Sequence, residues 1–144
     1  DVALMLAANP GAPLRPIAQA ASGGELSRVM LAVQVVLAGA DPVPTMVFDE
    51  VDAGVGGRLG PRVGAHLRGV AAHHQVLCVT HLPAIAAGAD QHMRVEKSVR
   101  RGRTRTEVQL LSGDDRVEEV AAMIAGSGDA ATARAEARRL LEAP

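Results

Sequence analysis

Thr45-Met46-Val47-Phe48-Asp49-Glu50-Val51-Asp52-Ala53-Gly54 is the stretch whose reading decides the fold. A short, β-favouring, mostly apolar run leads straight into two acids and then into a turn. Such a run is the pattern of a strand covered on both faces, as in a parallel sheet. The acids leave its carboxyl end, where open α/β sheets place their ligands. One carboxylate there can hold Mg²⁺, and the next can orient and deprotonate an attacking water. A solvated strand end is the plain alternative for Asp49-Glu50 taken alone.

Outward from this stretch, strands and helices alternate. Downstream, Gly54, Gly56 and Gly57 make a loop, Pro61 suits the first turn of a helix, and Val63, Leu67 and Val70 mark its inner face. Residues 75–80 predict a second buried strand through Val76-Leu77-Cys78-Val79, ending at Thr80-His81. Upstream, Leu26, Val29, Met30, Val33, Val36 and Leu37 recur at helical spacing from Ser22, until Gly39 and Pro42 end the helix. Apolar residues around much of its circumference predict burial on more than one side. Residues 1–8 read as a strand, Asn9-Pro10-Gly11 as a turn, and Pro13 and Pro16 as extended chain.

The remainder predicts a short helix over 83–89 and a hairpin of 93–97 with 106–111 around Arg101-Gly102-Arg103. Two helices follow, over 114–125 and 129–141, separated by Gly126-Ser127-Gly128. Val117, Val120, Ala121 and Ile124 point inward on the first. The order predicts an α/β layered fold with a parallel sheet. No repeat, linker or second domain is marked, so residues 1–144 are expected to form one domain.

Composition removes several function classes. The chain has 144 residues, a formal net charge of −1 and 48% apolar residues. Near-zero charge argues against a nucleic-acid surface over the whole chain. One Phe, with no Trp or Tyr, argues against a base-stacking platform for single strands. One Cys excludes an internal disulfide framework. No apolar run is long enough for a membrane helix and no leader pattern is present, so a soluble cytoplasmic protein without membrane partners is expected. The chain begins at Asp1 and not Met, which suits an excised piece.

Two further motifs flank the acids. In Ser22-Gly23-Gly24-Glu25-Leu26-Ser27-Arg28, Ser22 and Glu25 have the spacing of a capping box. Capping alone does not call for two glycines. A Gly-Gly helix start also lets a phosphate approach free N–H groups at the positive end of the helix dipole. Val79-Thr80-His81 places a histidine after the neighbouring strand; a lone His is more often structural, but two parallel strand ends open onto one crevice.

Four motifs in this order within about sixty residues resemble an ABC-type ATPase head, a P-loop NTPase-like α/β fold. Ser22-Gly23-Gly24-Glu25 matches the signature motif, Met46 to Asp49 match Walker B, Glu50 its catalytic glutamate, Asp52 the D-loop, and His81 the switch histidine. The fuller strings, Ala-Ser-Gly-Gly-Glu-Leu-Ser-Arg, Phe-Asp-Glu-Val-Asp-Ala-Gly-Val-Gly-Gly and Val-Thr-His-Leu-Pro, are similar to the RecN family of SMC-like ATPases, which act in double-strand-break repair. The opening Asn9-Pro10-Gly11 and the tail from Arg116 also fit. Ala84, where Gln is expected, and Ala122, where Arg is expected, depart from the pattern.

The resemblance implies roles. Ser22, Gly23 and Gly24 would contact the γ-phosphate of ATP held by an opposite head. Asp49 would help hold Mg²⁺, Glu50 would be the general base, Asp52 would couple the two sites, and His81 would stabilise charge on the γ-phosphate. No G-x-x-x-x-G-K-[ST] occurs, and Lys97 is the only lysine. In such split heads the N-terminal lobe carries Walker A and a coiled coil intervenes, so this chain resembles the C-terminal lobe. Implied partners are that N-terminal lobe, a second head in a homodimer, and DNA through the full protein.

Other readings stand beside this one. The chain could belong to another SMC-like or Rad50-like head, or be an assembly module without turnover of its own. His66, His73, His74, Cys78, His81 and His92 invite a zinc reading, but Cys78 and His81 should point to opposite faces. Residues 94–105 carry five Arg and Lys97 against Glu96. A solvated hairpin with charged edges is the favoured reading there, and a DNA or phosphate contact the alternative.

Overall fold

A parallel ladder of four residues on each strand, at the predicted place, organises the first half of the chain. In the computed structural model, which describes residues 3–7, 10–20, 22–37, 39–40, 42–100, 102–125 and 129–143, β3 (Thr45–Phe48) pairs in parallel with β4 (Gln75–Cys78). Thr45 stands opposite Gln75 and Phe48 opposite Cys78, so both strands deliver their carboxyl ends to the same side. The connection between them is α3 (Gly60–Ala71), with Pro61 in its first turn. Pro suits that place because the first helical N–H has no intrahelical acceptor.

Residues Asp1–Thr80 form one compact unit and His81–Pro144 another. In the first, α2 (Gly23–Leu37) lies against α3. Leu31, Met46, Phe48, Val51, Val63, Leu67 and Val70 are buried. Alternation along β3 buries Met46 and Phe48 and exposes Thr45 and Val47. Near the start, β1 (Met5–Leu6) pairs antiparallel with β2 (Arg15–Pro16), followed by the short α1 (Ile17–Ala20). The predicted first strand is thus two residues long; Asn9 of the expected turn lies outside the described residues, while Pro10 and Gly11 are in a turn, Gly11 at φ +84°.

The prediction that α2 is buried on several sides does not hold within the described residues. Only Gly24 and Leu31 are buried on it, and Val36 is 83% exposed.

The second unit begins with α4 (Pro83–Ala87), then β5 (His92–Arg100) paired antiparallel with β6 (Arg103–Leu111), longer than the predicted hairpin strands. Helices α5 (Gly113–Ala125) and α6 (Ala130–Glu142) follow within a residue of their expected bounds. The expected Gly126-Ser127-Gly128 linker and Arg101 lie outside the described residues. Small side chains let the helices approach closely: Ala87, Val120, Ala121, Ala133 and Ala137 form the core. Arg116 of α5 donates to the carbonyls of Ala86, Ala87 and Ala89, satisfying orphan acceptors at the end of α4.

Candidate functional site

The site is built where the amino end of α2 meets the turn that leaves β3. Ser22 caps α2. Its hydroxyl accepts the Glu25 N–H at 3.4 Å, and the Glu25 carboxylate accepts the Ser22 N–H at 2.8 Å and the Ser22 hydroxyl at 3.0 Å. These are the reciprocal bonds of a capping box. They hold the Glu25 carboxyl below its ordinary range, with Arg28 adding to the effect. The Gly23 and Gly24 N–H groups have no acceptor within their own helix.

The glycine pair has a second physical reason, which spacing did not reveal. A Cβ on Gly24 would lie 2.8 Å from the Ala53 Cβ and 3.0 Å from the carbonyl oxygens of Glu50 and Ala53. A Cβ on Gly23 would lie 2.8 Å from Glu50 Oε2. A side chain at Gly24 would push the helix off the acid turn, whereas one at Gly23 would displace the exposed Glu50 carboxylate. The signature-like motif and the acids are therefore packed together within one chain.

The turn itself is tightly specified. Asp49 Oδ1 accepts the Glu50 N–H at 2.9 Å, and Ala53 N–H closes the turn on the Glu50 carbonyl at 2.9 Å. Glu50 has φ +55°, a left-handed conformation that costs a non-glycine residue roughly 1 kcal/mol. Gly54, at φ +70°, takes the same region without that cost. Asp49 and Glu50 are both exposed, and Asp52 is buried at 3% exposure. Asp52 Oδ2 accepts the Thr80 hydroxyl at 2.5 Å, joining the turn to the chain just past β4.

Ser27 and Arg28 are the residues that motif reading left without a role. The Ser27 hydroxyl donates to the Asp49 carbonyl at 2.7 Å. Arg28 Nη1 donates to the Ala53 carbonyl at 2.6 Å and the Val51 carbonyl at 3.4 Å. Gly24, Ser27 and Arg28 stand at i, i+3 and i+4, on one helix face. That periodicity was the available signal; what the face would touch was not in it.

The structure brings Ser22, Gly23, Gly24, Glu25, Asp49, Glu50 and Asp52 together in the first unit. His81 opens the second unit and is exposed. An exposed carboxylate at a strand end, as Asp49 is, suits a hard oxygen-liganded cation such as Mg²⁺. Among the described residues, no group of three or more His, Cys, Asp or Glu could hold a metal by itself. Cys78 is half-buried, and burial, then the charges of Asp52 and Asp49, push its thiol up to about 11. In the hairpin, Arg94 pairs with Glu119 and Glu96, and Arg105 with Glu107. No described helix is long and apolar enough to cross a membrane.

Comparisons with known proteins bear on this arrangement. No protein-family model matches the chain. A DNA repair protein RecN of Streptomyces coelicolor is 57% identical over 142 residues, covering 99% of this chain and 25% of the relative. RecN of Deinococcus radiodurans is 55% identical over 98% of the chain, and RecN of Treponema pallidum 48% identical over 99%. A chain from a structural study of ATP-driven dimerization and DNA stimulated activation of SMC ATPases superposes with TM-score 0.48 and 25% identity, over 78% of this chain and 74% of its own. The chain spans about a quarter of the length of the curated relatives it matches. Over nearly its whole length, the chain is similar to one segment of these longer RecN proteins.

Proposed function

We propose that this chain is the C-terminal, signature-bearing lobe of an ATPase head in an SMC-like DNA repair protein acting on double-strand breaks and in recombination. The observation that carries the reading is the packing of the Gly23-Gly24 helix start against the Asp49-Glu50 turn, in a chain similar to RecN. A phosphate-binding helix start and a pair of exposed carboxylates, held in fixed relation, supply two of the parts that phosphoryl transfer requires.

In this reading the complete protein binds ATP and Mg²⁺ and hydrolyses ATP between two heads. Mg²⁺, when bound, neutralises charge on the phosphates, and Asp49 helps hold it. Glu50 takes the proton from the attacking water. Ser22, Gly23 and Gly24 present donors to the γ-phosphate of ATP on the opposite head. Asp52 couples the sites, and His81 donates to the γ-phosphate. Hydrolysis separates the heads. The protein works in the cytoplasm, on the nucleoid.

The lobe that carries Walker A is the second implied part. Parallel strand pairs are normally covered on both faces. Here Val47, Leu77 and Val79 are exposed on β3 and beyond β4, and Met30 and Leu37 on α2. That uncovered apolar surface supports a further piece of the same sheet from the rest of the polypeptide. The absence of G-x-x-x-x-G-K-[ST] within these residues favours, for the segment alone, a role in assembly without turnover.

Assaying ATP hydrolysis by the full-length protein and by the purified segment tests the reading. Turnover is expected from the former and none from the latter. Robust hydrolysis by the 144-residue segment would sink the split-head account.

A further inference from the structure

We propose that Ser27 and Arg28 are positioning residues that fix where the Glu50 carboxylate stands. The claim deepens the ATPase reading and rests on it for the reaction concerned.

Glu50 lies in a turn and holds a left-handed backbone, φ +55°, that an L-residue keeps only where its surroundings over-determine it. The flanking backbone shows what does so. Ser27 holds the carbonyl immediately before Glu50, at Asp49. Arg28 holds the carbonyls of Val51 and Ala53 immediately after it. Glu50 is thus the residue between two points of attachment, both on α2. The Arg28 bonds are partly buried, so water competes less for them than at an open surface. Gly24 completes the face, because its missing side chain lets α2 come within reach.

The energetic logic separates the two attachments. Ser27 makes one neutral bond, the weaker kind of attachment. Arg28 makes a charge-assisted bond to Ala53 and spans two carbonyls, a geometry that the single ammonium of lysine does not reproduce. A general base displaced by about 1 Å can lose about 10²-fold in rate without loss of substrate binding. The effect should therefore fall on kcat.

The test uses the full-length protein carrying this sequence, with Ser27→Ala, Ser27→Thr and Arg28→Ala. Hydrogen–deuterium exchange over residues 49–55 should rise by about tenfold in Arg28→Ala, with residues 61–71 unchanged. ATP turnover should fall by about 10²-fold in kcat with KM for ATP within about threefold. Ser27→Ala should show a smaller loss, and Ser27→Thr, which keeps the hydroxyl, should restore it. Unchanged exchange in both alanine variants overturns the brace. Faster exchange with wild-type kcat overturns the positioning role. A wild-type protein without ATP turnover overturns the ATPase reading instead, and the exchange measurement still decides whether the brace exists.

Discussion

In the first unit, side-chain hydrogen bonds from Ser27, Arg28 and Thr80 converge on residues 49–53, beside those that join Thr45 to Gln75 and His74 to Val43. In the second, ion pairs run between helices and along the surface, Arg134 to Glu118, Arg138 to Asp114 and Arg94 to Glu119, beside the Arg116 bonds to the carbonyls at the end of α4. The first set is partly buried and holds a strained backbone in one conformation. The second set is largely exposed, where salt and water screen ion pairs and their contribution is small. The second unit owes its cohesion to the close packing of Val120 with alanines. The difference teaches where each unit is vulnerable: one in the geometry of a turn, the other in its core.

Val120→Ala tests that division with the largest expected change in stability. Val120 is fully buried, so losing two methyl groups costs about 2 kcal/mol through transfer and cavity terms. Thermal unfolding of the full-length protein should show it, while ATP turnover at permissive temperature stays at the wild-type level. A proportional loss of turnover would erase the division of labour.

A pair of identical substitutions sharpens the comparison within the first unit. Gly24→Ala should destabilise by roughly 1–3 kcal/mol, since overpacking against backbone oxygens outweighs a gain in helix propensity of about 1 kcal/mol. Gly69→Ala on α3 meets nothing within 4 Å, so it should stabilise by about 0.5–1 kcal/mol. Opposite signs in chemical unfolding support the close approach of α2 to the acid turn. Equal stabilisation by both would contradict it.

What was legible in the sequence was local. The capping box of Ser22 and Glu25 is a matter of spacing three, and the structure forms it. Both parallel strands were legible because a short apolar run bounded by breakers has few alternatives. The turn that Ser27 and Arg28 grip lies more than twenty residues away in sequence, so periodicity marked their face without naming its partner. The division after Thr80 was not legible either, since Thr80-His81-Leu82-Pro83 carries no linker composition. The exposed flank of α2 reads as core in the sequence because its apolar residues are there, but the described residues leave them uncovered.

The central claim is that Glu50 activates water for ATP hydrolysis in a head of which this chain is one lobe. Glu50→Gln in the full-length protein keeps the size and shape of the side chain and removes the base. Turnover should fall by about 10²–10⁴-fold, the usual worth of a positioned general base, while ATP-dependent self-association of the protein, followed by light scattering, persists. Wild-type turnover in that variant would contradict the account.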